Sequence, residues 1–300
     1  MLPDTGQTLS YTDTFGEDSD YTINPPAYTK LDSSGNELDA GATDWVMVRD
    51  DITNLIWEVK TDDSGIHDRD NLYTWQDAQD VFIAQLNSDN FGGRVDWRVP
   101  TIKELSTLVY ADAFDLAINT AYFPNTMSSP YYWSSTTHAS ITDGAWIVGF
   151  FHGHVAGGHD KSQNYIVRAV SGGQLSDNLI DNGDGTVTDT ATGLMWQQSE
   201  TDAMTWEADI AYCENLELAG YDDWRLPNRN ELQSIVDYET YDPAIDTALF
   251  PGAMSSGYLS SRVCDSSDWY PPSSHRPIWI STAEARTSPN TVSIALGSAT

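Results

Sequence analysis

Apolar residues recur every three to four positions at Trp75, Ala78, Phe82 and Leu86, a spacing that predicts a helix with one buried face. Trp206, Ile210 and Cys213 repeat that face further along the chain. A second helix is predicted after each Asp-Trp-Arg-x-Pro block. Thr101 with Glu104, and Asn228 with Glu231, have the spacing of an N-cap residue and its reciprocal acidic partner. Leu105, Leu108 and Val109, and likewise Leu232, Ile235 and Val236, supply the buried side. Ahead of the helices the pattern is that of strands and turns. Asp181-Asn182-Gly183-Asp184-Gly185 carries Asn-Gly and Asp-Gly hairpin signals, with Val187, Asp189 and the apolar run Leu194-Met195-Trp196 after it. Beyond the helices the chain reads as short strands and long loops rich in Ser, Gly, Tyr and Trp. Two helices leading into a loop-rich antiparallel sheet indicate an α+β domain.

The pattern occurs twice. Asp96, Trp97, Arg98, Pro100, Glu104 and Leu105 return as Asp223, Trp224, Arg225, Pro227, Glu231 and Leu232, an offset of 127 residues. It persists through Phe123-Pro124 against Phe250-Pro251 and Met127-Ser128-Ser129 against Met254-Ser255-Ser256. Upstream, Leu55 and Trp57 pair with Leu194 and Trp196 after small gaps. Solenoid and propeller repeats run to roughly 20 to 50 residues, so this is a domain duplication. The expected organisation is an N-terminal arm, residues 1–43, packed on a first module, 44–173, with a second module, 174–300, after it.

Charge narrows the partners. With 45 Asp and Glu against 14 Lys and Arg, the net charge of −31 repels a nucleic-acid backbone. It suits solubility, cation binding or a basic target. No apolar run approaches the roughly 18 to 20 residues of a membrane span, and MLPDTGQTLS lacks the basic start and apolar core of a signal peptide. The two cysteines make no disulfide framework. Cys213 reads as a small buried hydrophobe on its helix, while Cys264, in a Ser-rich stretch, is either a free thiol or its partner.

The DNGDGTVTD opening, the TGLMW strand, the Trp-led helix, the DWRLP block with its Glu-Leu, and the pattern from Tyr132 to Phe150 together resemble the C-terminal domain family of Legionella collagen-like adhesins. That family is similar to the C-type-lectin-like fold and related to the formylglycine-generating group. The resemblance covers both modules and implies two tandem C-type-lectin-like domains, each with two helices and a loop-rich antiparallel sheet. It further implies a non-enzymatic binding protein that is extracellular or displayed on a cell or virus particle.

The copies part company after Tyr258-Leu259-Ser260-Ser261. In the first, Trp146 comes 18 residues after Ser128 and Val167-Arg168 looks like the family's closing strand; in the second, Trp279 comes 24 residues after Ser255 and no Val-Arg pair appears. Val292, Ile294 and Leu296 alternate like a substitute strand. An abrupt change confined to the C-terminal part of such a module resembles the variable proteins of diversity-generating retroelements. Randomised AAC or AAT codons never give Lys, Gln, Glu, Met or Trp. Between residues 258 and 300 only Trp269, Trp279 and Glu284 are of those types, although the corresponding stretch of the first module is nearly as poor in them. The alternative is ordinary loop divergence.

The ligand-binding residues expected on that segment are Tyr258, Ser260, Arg262, Asp265, Ser266, Ser267, Asp268, Tyr270, Ser273, Ser274, His275 and Arg276, a paratope-like mixture of rigid aromatics and adaptable polar groups. The bland reading is a long solvent loop. Protein or cell-surface ligands are the expected partners, with a glycan or matrix adhesin of fixed specificity as the alternative. No cofactor is expected beyond calcium, for which Asp181, Asn182, Asp184 and Asp189 offer oxygen ligands. The hairpin explains the same residues, and the Glu-Pro-Asn, Gln-Pro-Asp and Trp-Asn-Asp signatures of calcium-bridged sugar binding are absent. His152, His154 and His159 offer three imidazoles to zinc, against the simpler reading of exposed loop histidines. Arg98 and Arg225 are expected to pair with Asp or backbone carbonyls. Neither Gly-x-Ser-x-Gly, His-Glu-x-x-His nor a phosphate loop occurs, so catalysis is not expected; the remaining alternative, an enzyme of the formylglycine-generating type, would need Cys213 or Cys264 to be essential.

Overall fold

A computed structural model of the chain describes residues 1–110, 112–201, 204–255 and 258–261, together with the backbone of 290–292. The chain divides into two compact units, one of Pro26–Leu175 and one of Met1–Pro25 with Ser176–Thr300. They are called here the first and second modules. Among the described residues no helix is long and apolar enough to cross a membrane.

In the first module β1 (Tyr28–Leu31), β2 (Met47–Asp50), β3 (Ile56–Glu58) and β7 (Val170–Ser171) form an antiparallel sheet in the order β1-β2-β3-β7. The β2-β3 turn follows from its residues. Asp50 accepts Ile52 N at 2.9 Å and the Thr53 hydroxyl at 2.8 Å, and Asn54 adopts a left-handed φ of 60°. The second module repeats this with β8 (Leu179–Asp181), β9 (Thr186–Asp189) and β10 (Leu194–Gln197). There Asp189 accepts Ala191 N at 2.9 Å and the Thr192 hydroxyl at 2.7 Å, and Gly193 has φ 84°.

The helix expected from Trp75 runs through α1 (Trp75–Asp77), a π-helical turn (Ala78–Ile83) and α2 (Ala84–Ser88), burying Ala78, Phe82 and Leu86. These join Trp97, Trp133, Ala145, Ile147, Val167 and Ala169 in one apolar cluster. Next, α3 (Ile102–Ser106) is capped by the expected reciprocal pair: Thr101 accepts Glu104 N at 3.3 Å, and Glu104 accepts Thr101 N at 2.8 Å. A three-stranded antiparallel sheet of β4 (Tyr132–His138), β5 (Ile141–Gly149) and β6 (His154–Asp160) completes the module. In the second module α4 (Trp206–Glu214) and α5 (Arg229–Ser234) take the helical places, and Asn228 with Glu231 caps α5. The architecture is thus mixed, with few helices and several antiparallel sheets.

Two features differ from expectation. Of the arm expected on the first module, residues 26–43 join it, but residues 1–25 form one unit with the second. The physical reason is a set of bonds invisible to spacing. Asn230 Nδ2 donates to Pro3 O at 3.0 Å, Asp18 N to Ser261 O at 3.2 Å, and the Tyr21 hydroxyl to Glu214. The Arg225 guanidinium sits 5.0 Å from the centre of the Tyr21 ring. Gly16, at φ 122°, lets the backbone reach α4, because a Cβ there would come within 2.6 Å of Ile210 Cγ2. The second difference is the closing strand. β11 (Asn290–Val292) lies beside β10 but runs parallel to it, whereas β7 runs antiparallel to β3.

Candidate functional site

The C-terminal face of the second module begins on a frame that duplicates the first hydrogen bond by hydrogen bond. Trp75 Nε1 donates to Ser134 O at 2.9 Å, as Trp206 Nε1 donates to Ser260 O at 2.7 Å. Ser135 N donates to Pro100 O at 2.7 Å, as Ser261 N donates to Pro227 O at 2.7 Å. Met127 N donates to the Tyr132 hydroxyl at 2.8 Å, as Met254 N donates to that of Tyr258 at 3.1 Å. These equivalences hold up to Ser261, the residue at which the copies diverge in sequence.

Of the expected ligand-binding residues, Tyr258 and Ser260 are described. Ser260 is buried and its carbonyl anchors Trp206, so it frames the face and does not present itself. Tyr258 is half-buried, and its hydroxyl donates to Glu200 Oε1. Burial and the adjacent carboxylate push the phenol far up, and burial raises the Glu200 carboxyl above its usual range against the opposing hydrogen bond from Tyr258. Arg262, Asp265, Ser266, Ser267, Asp268, Tyr270, Ser273, Ser274, His275, Arg276 and Cys264 lie outside the described residues. Spacing gave no hint of Glu200, although comparison of the copies held a signal, since Thr61 stands in its place in the first module.

The N-terminal arm borders this face through Asp18 and Ser261. Its Glu17 carboxylate, fully buried, accepts Tyr11 N at 2.9 Å and thereby folds residues 11–17 into a compact loop. Leu9, Tyr11 and Phe15 are left exposed on it.

The oxygen ligands expected for calcium are not brought together. Asp181 pairs with Val187 at one end of the β8-β9 hairpin, and Asp189 pairs with Leu179 at the other. Each acidic side chain instead serves its own turn: Asp181 accepts Gly183 N at 2.8 Å, Asp184 accepts Thr186 N at 3.1 Å, and Asp189 accepts Ala191 N at 2.9 Å. Asn182 Nδ2 donates to the Thr186 and Thr188 hydroxyls at 2.8 Å. The histidines also separate. His152 packs on Phe114 and Phe151, while His154 and His159 flank Tyr131 at 6.5 and 5.1 Å between ring centres. Among the described residues no group of three or more His, Cys, Asp or Glu side chains could hold a metal ion.

The paired motif residues have defined structural work. Trp97 and Trp224 are buried as expected. Arg98 grips Glu104 with two bonds of 2.6 and 2.7 Å and donates to Gly172 O at 3.1 Å; Arg225 grips Glu231 at 2.9 and 3.2 Å. The partner is therefore the capping Glu, not an Asp. Cys213 is buried beside Ile210 and Leu226.

The sequence pattern of a family described as the Lcl C-terminal domain matches the chain twice, over residues 46–171 and 185–296. No curated protein matches it.

Proposed function

The chain belongs to the Lcl C-terminal domain family, which it carries in two tandem copies, and from that premise we propose that it is a non-catalytic, adhesin-like binding protein displayed at a cell or particle surface. The C-type-lectin-like reading of each module belongs to the same proposal. In this reading the first module is fixed, and the second presents its C-terminal region, residues 258–300, which diverges after Ser261, to a protein or cell-surface target.

One observation carries the proposal. The two copies keep the same framing hydrogen bonds through Ser261, and their sequences diverge directly afterwards. A conserved frame supporting a changed edge is the arrangement a recognition surface needs. The burial of Cys213 among apolar neighbours supports a packing role for that thiol in preference to a catalytic one. The segment's resemblance to retroelement variable proteins makes a definite forecast for the gene in its natural population. Sequencing of its 3′ end should find substitutions concentrated on adenine-derived codons between 258 and 300, with Trp269 and Trp279 unchanged. An invariant window would overturn the variable-protein reading. A fixed-specificity adhesin, to be sought in a glycan screen with and without calcium, would then replace it.

A further inference from the structure

Side chains that close a gap in the first module are missing at the equivalent place in the second. Val59 N donates to Val46 O at 3.0 Å and Gln198 N to Gly185 O at 2.9 Å, so Gly185 replaces Val46, Ser199 replaces Lys60 and Glu200 replaces Thr61. The 127-residue offset that aligns Pro124 with Pro251 puts Gly252 at the place of Asn125. In the first module Asn125 Nδ2 donates across the gap to Lys60 O at 3.1 Å. In the second a cavity of about 380 Å³ opens instead, walled by Gln198, Glu200, Gly252 and Met254 with Gly185 beside them. That volume is at the small end of ligand pockets.

Among the described residues, the charged group beside the framing tyrosine also differs. In the first module the Arg168 guanidinium lies 5.8 Å from the Tyr132 ring centre and donates to Glu58 O and the Thr126 hydroxyl at 2.8 and 2.7 Å. The equivalent Tyr258 bonds the Glu200 carboxylate, and Ala253 stands in place of Thr126. Glu200 Oε2 is enclosed and has no hydrogen-bond partner of its own among the described residues, although the Met254 N–H also acts on the carboxylate. Its terminal torsion is soft, so a small turn brings that oxygen to an arriving donor. Around it, the second module holds 25 Asp and Glu against 5 Arg and no Lys. A half-buried carboxylate with one unmet oxygen, an aromatic ring at its side and a negative field all favour the same guest.

We propose that this cavity is a receptor for a cationic side chain, arginine or lysine, of a partner protein. The guest's N–H groups donate to Glu200 Oε2, and its stem lies along Met254 and Pro251. The proposal does not depend on the divergent segment binding a target: residues 262–276 could bind nothing and the cavity would still take its guest.

The test uses the full chain with its methionine methyls isotopically labelled, titrated with N-acetyl-arginine N-methylamide, the lysine analogue, and the neutral isostere N-acetyl-citrulline N-methylamide. The expected result is a saturable shift of the Met254 methyl by at least one cationic probe, with citrulline at least tenfold weaker. Glu200→Gln should weaken binding tenfold or more. Gly252→Asn, which restores the first module's gap-closing side chain, should do the same with the charge left in place. A Cβ at 252 meets only Glu200 N and Cγ, at 3.9 and 4.0 Å, so that variant fits the fold and decides the matter if Glu200→Gln does not fold. No saturable shift, equal binding of citrulline, or unchanged affinity in the variants would each overturn the proposal.

Discussion

Ala78 in the first module and Asp209 in the second occupy the same helical position, three residues after the leading Trp. Both are fully buried. An alanine there costs nothing, but among the described residues neither carboxyl oxygen of Asp209 has a hydrogen-bond partner, and burial pushes its pKa up to about 7. The unfolded chain ionises this group near 3.8. Between these two values the folded state holds a proton that the unfolded state has lost, so stability falls as pH rises through that window, and the loss is complete above about 7. Asp209→Ala should therefore stabilise the second module at pH 8 by ~2–4 kcal/mol and by much less at pH 4.5. Denaturant midpoints of the full chain at the two pH values measure this. An equal gain at both would show that the carboxyl is not held neutral by its surroundings.

At the level of elements, β3 and β10 are the same strand with different charges. β3 ends in Glu58 and continues to Lys60, both fully buried; Glu58 accepts Lys60 Nζ at 2.9 Å and Ala169 N at 3.0 Å, and is 2.9 Å from His67 Nδ1. Lys60 and His67 hold the Glu58 carboxyl below its usual range against the opposing effect of burial. β10 has Gln197 and Ser199 at these places, and the buried Arg168 has no counterpart pair in the second sequence. Glu58 and Lys60 are thus replaced together in the second sequence, as expected where removing one member strands the other's charge. Glu58→Gln should destabilise the first module by about 3 kcal/mol or more, while Glu58→Gln combined with Lys60→Ser should cost less than the sum of the two single changes. Urea midpoints of the three variants give the coupling; strict additivity would refute it. The same comparison explains what was legible in the sequence. Capping boxes, hairpin turns and helix faces depend on residues two to four apart, so spacing revealed Thr101 with Glu104, Asp189 with its turn, and the Ala78-Phe82-Leu86 stripe. Arg98 with Glu104, six residues apart, was visible as two motif residues but not as a pair. Glu58 with Arg168, Asn230 with Pro3, and the Gly185–Gly252 cavity depend on segments brought together only by topology. The π-helical turn leaves no spacing signature, because it changes the register within a helix whose apolar positions still look regular.

For the molecule as a whole, the duplication has produced two units with unequal means of support. The first closes on its own β7, tied to the Asp-Trp-Arg block by paired backbone bonds between Arg98 and Val170 at 2.9 and 3.0 Å. The second draws on residues 1–25, whose Leu2, Thr5, Gln7, Glu17, Asp18 and Tyr21 are all buried. It also carries the larger charge excess, net −20 from 25 acidic and 5 basic side chains, against net −11 from 20 and 9 in the first. Like-charge repulsion disfavours the compact state, which makes the arm's contacts with α4 and Arg225 more important. Deletion of residues 1–25 removes the ring beneath Arg225, the acceptor of Asn230 and the backbone partner of Ser261, and uncovers Ile210. At about 1–3 kcal/mol for each buried polar group left unpaired, the expected loss is several kcal/mol. For a unit of this size that corresponds to a fall in melting temperature of roughly 10 °C. Calorimetry of the full chain should resolve two transitions, of which the one lowered by Glu58→Gln belongs to the first module. The deletion should lower the other and leave that one within about 2 °C. Added salt should raise the second module's transition more than the first's, because screening relieves the more acidic unit most. If both transitions fell together, or neither moved, the arm would not be part of the second module's fold.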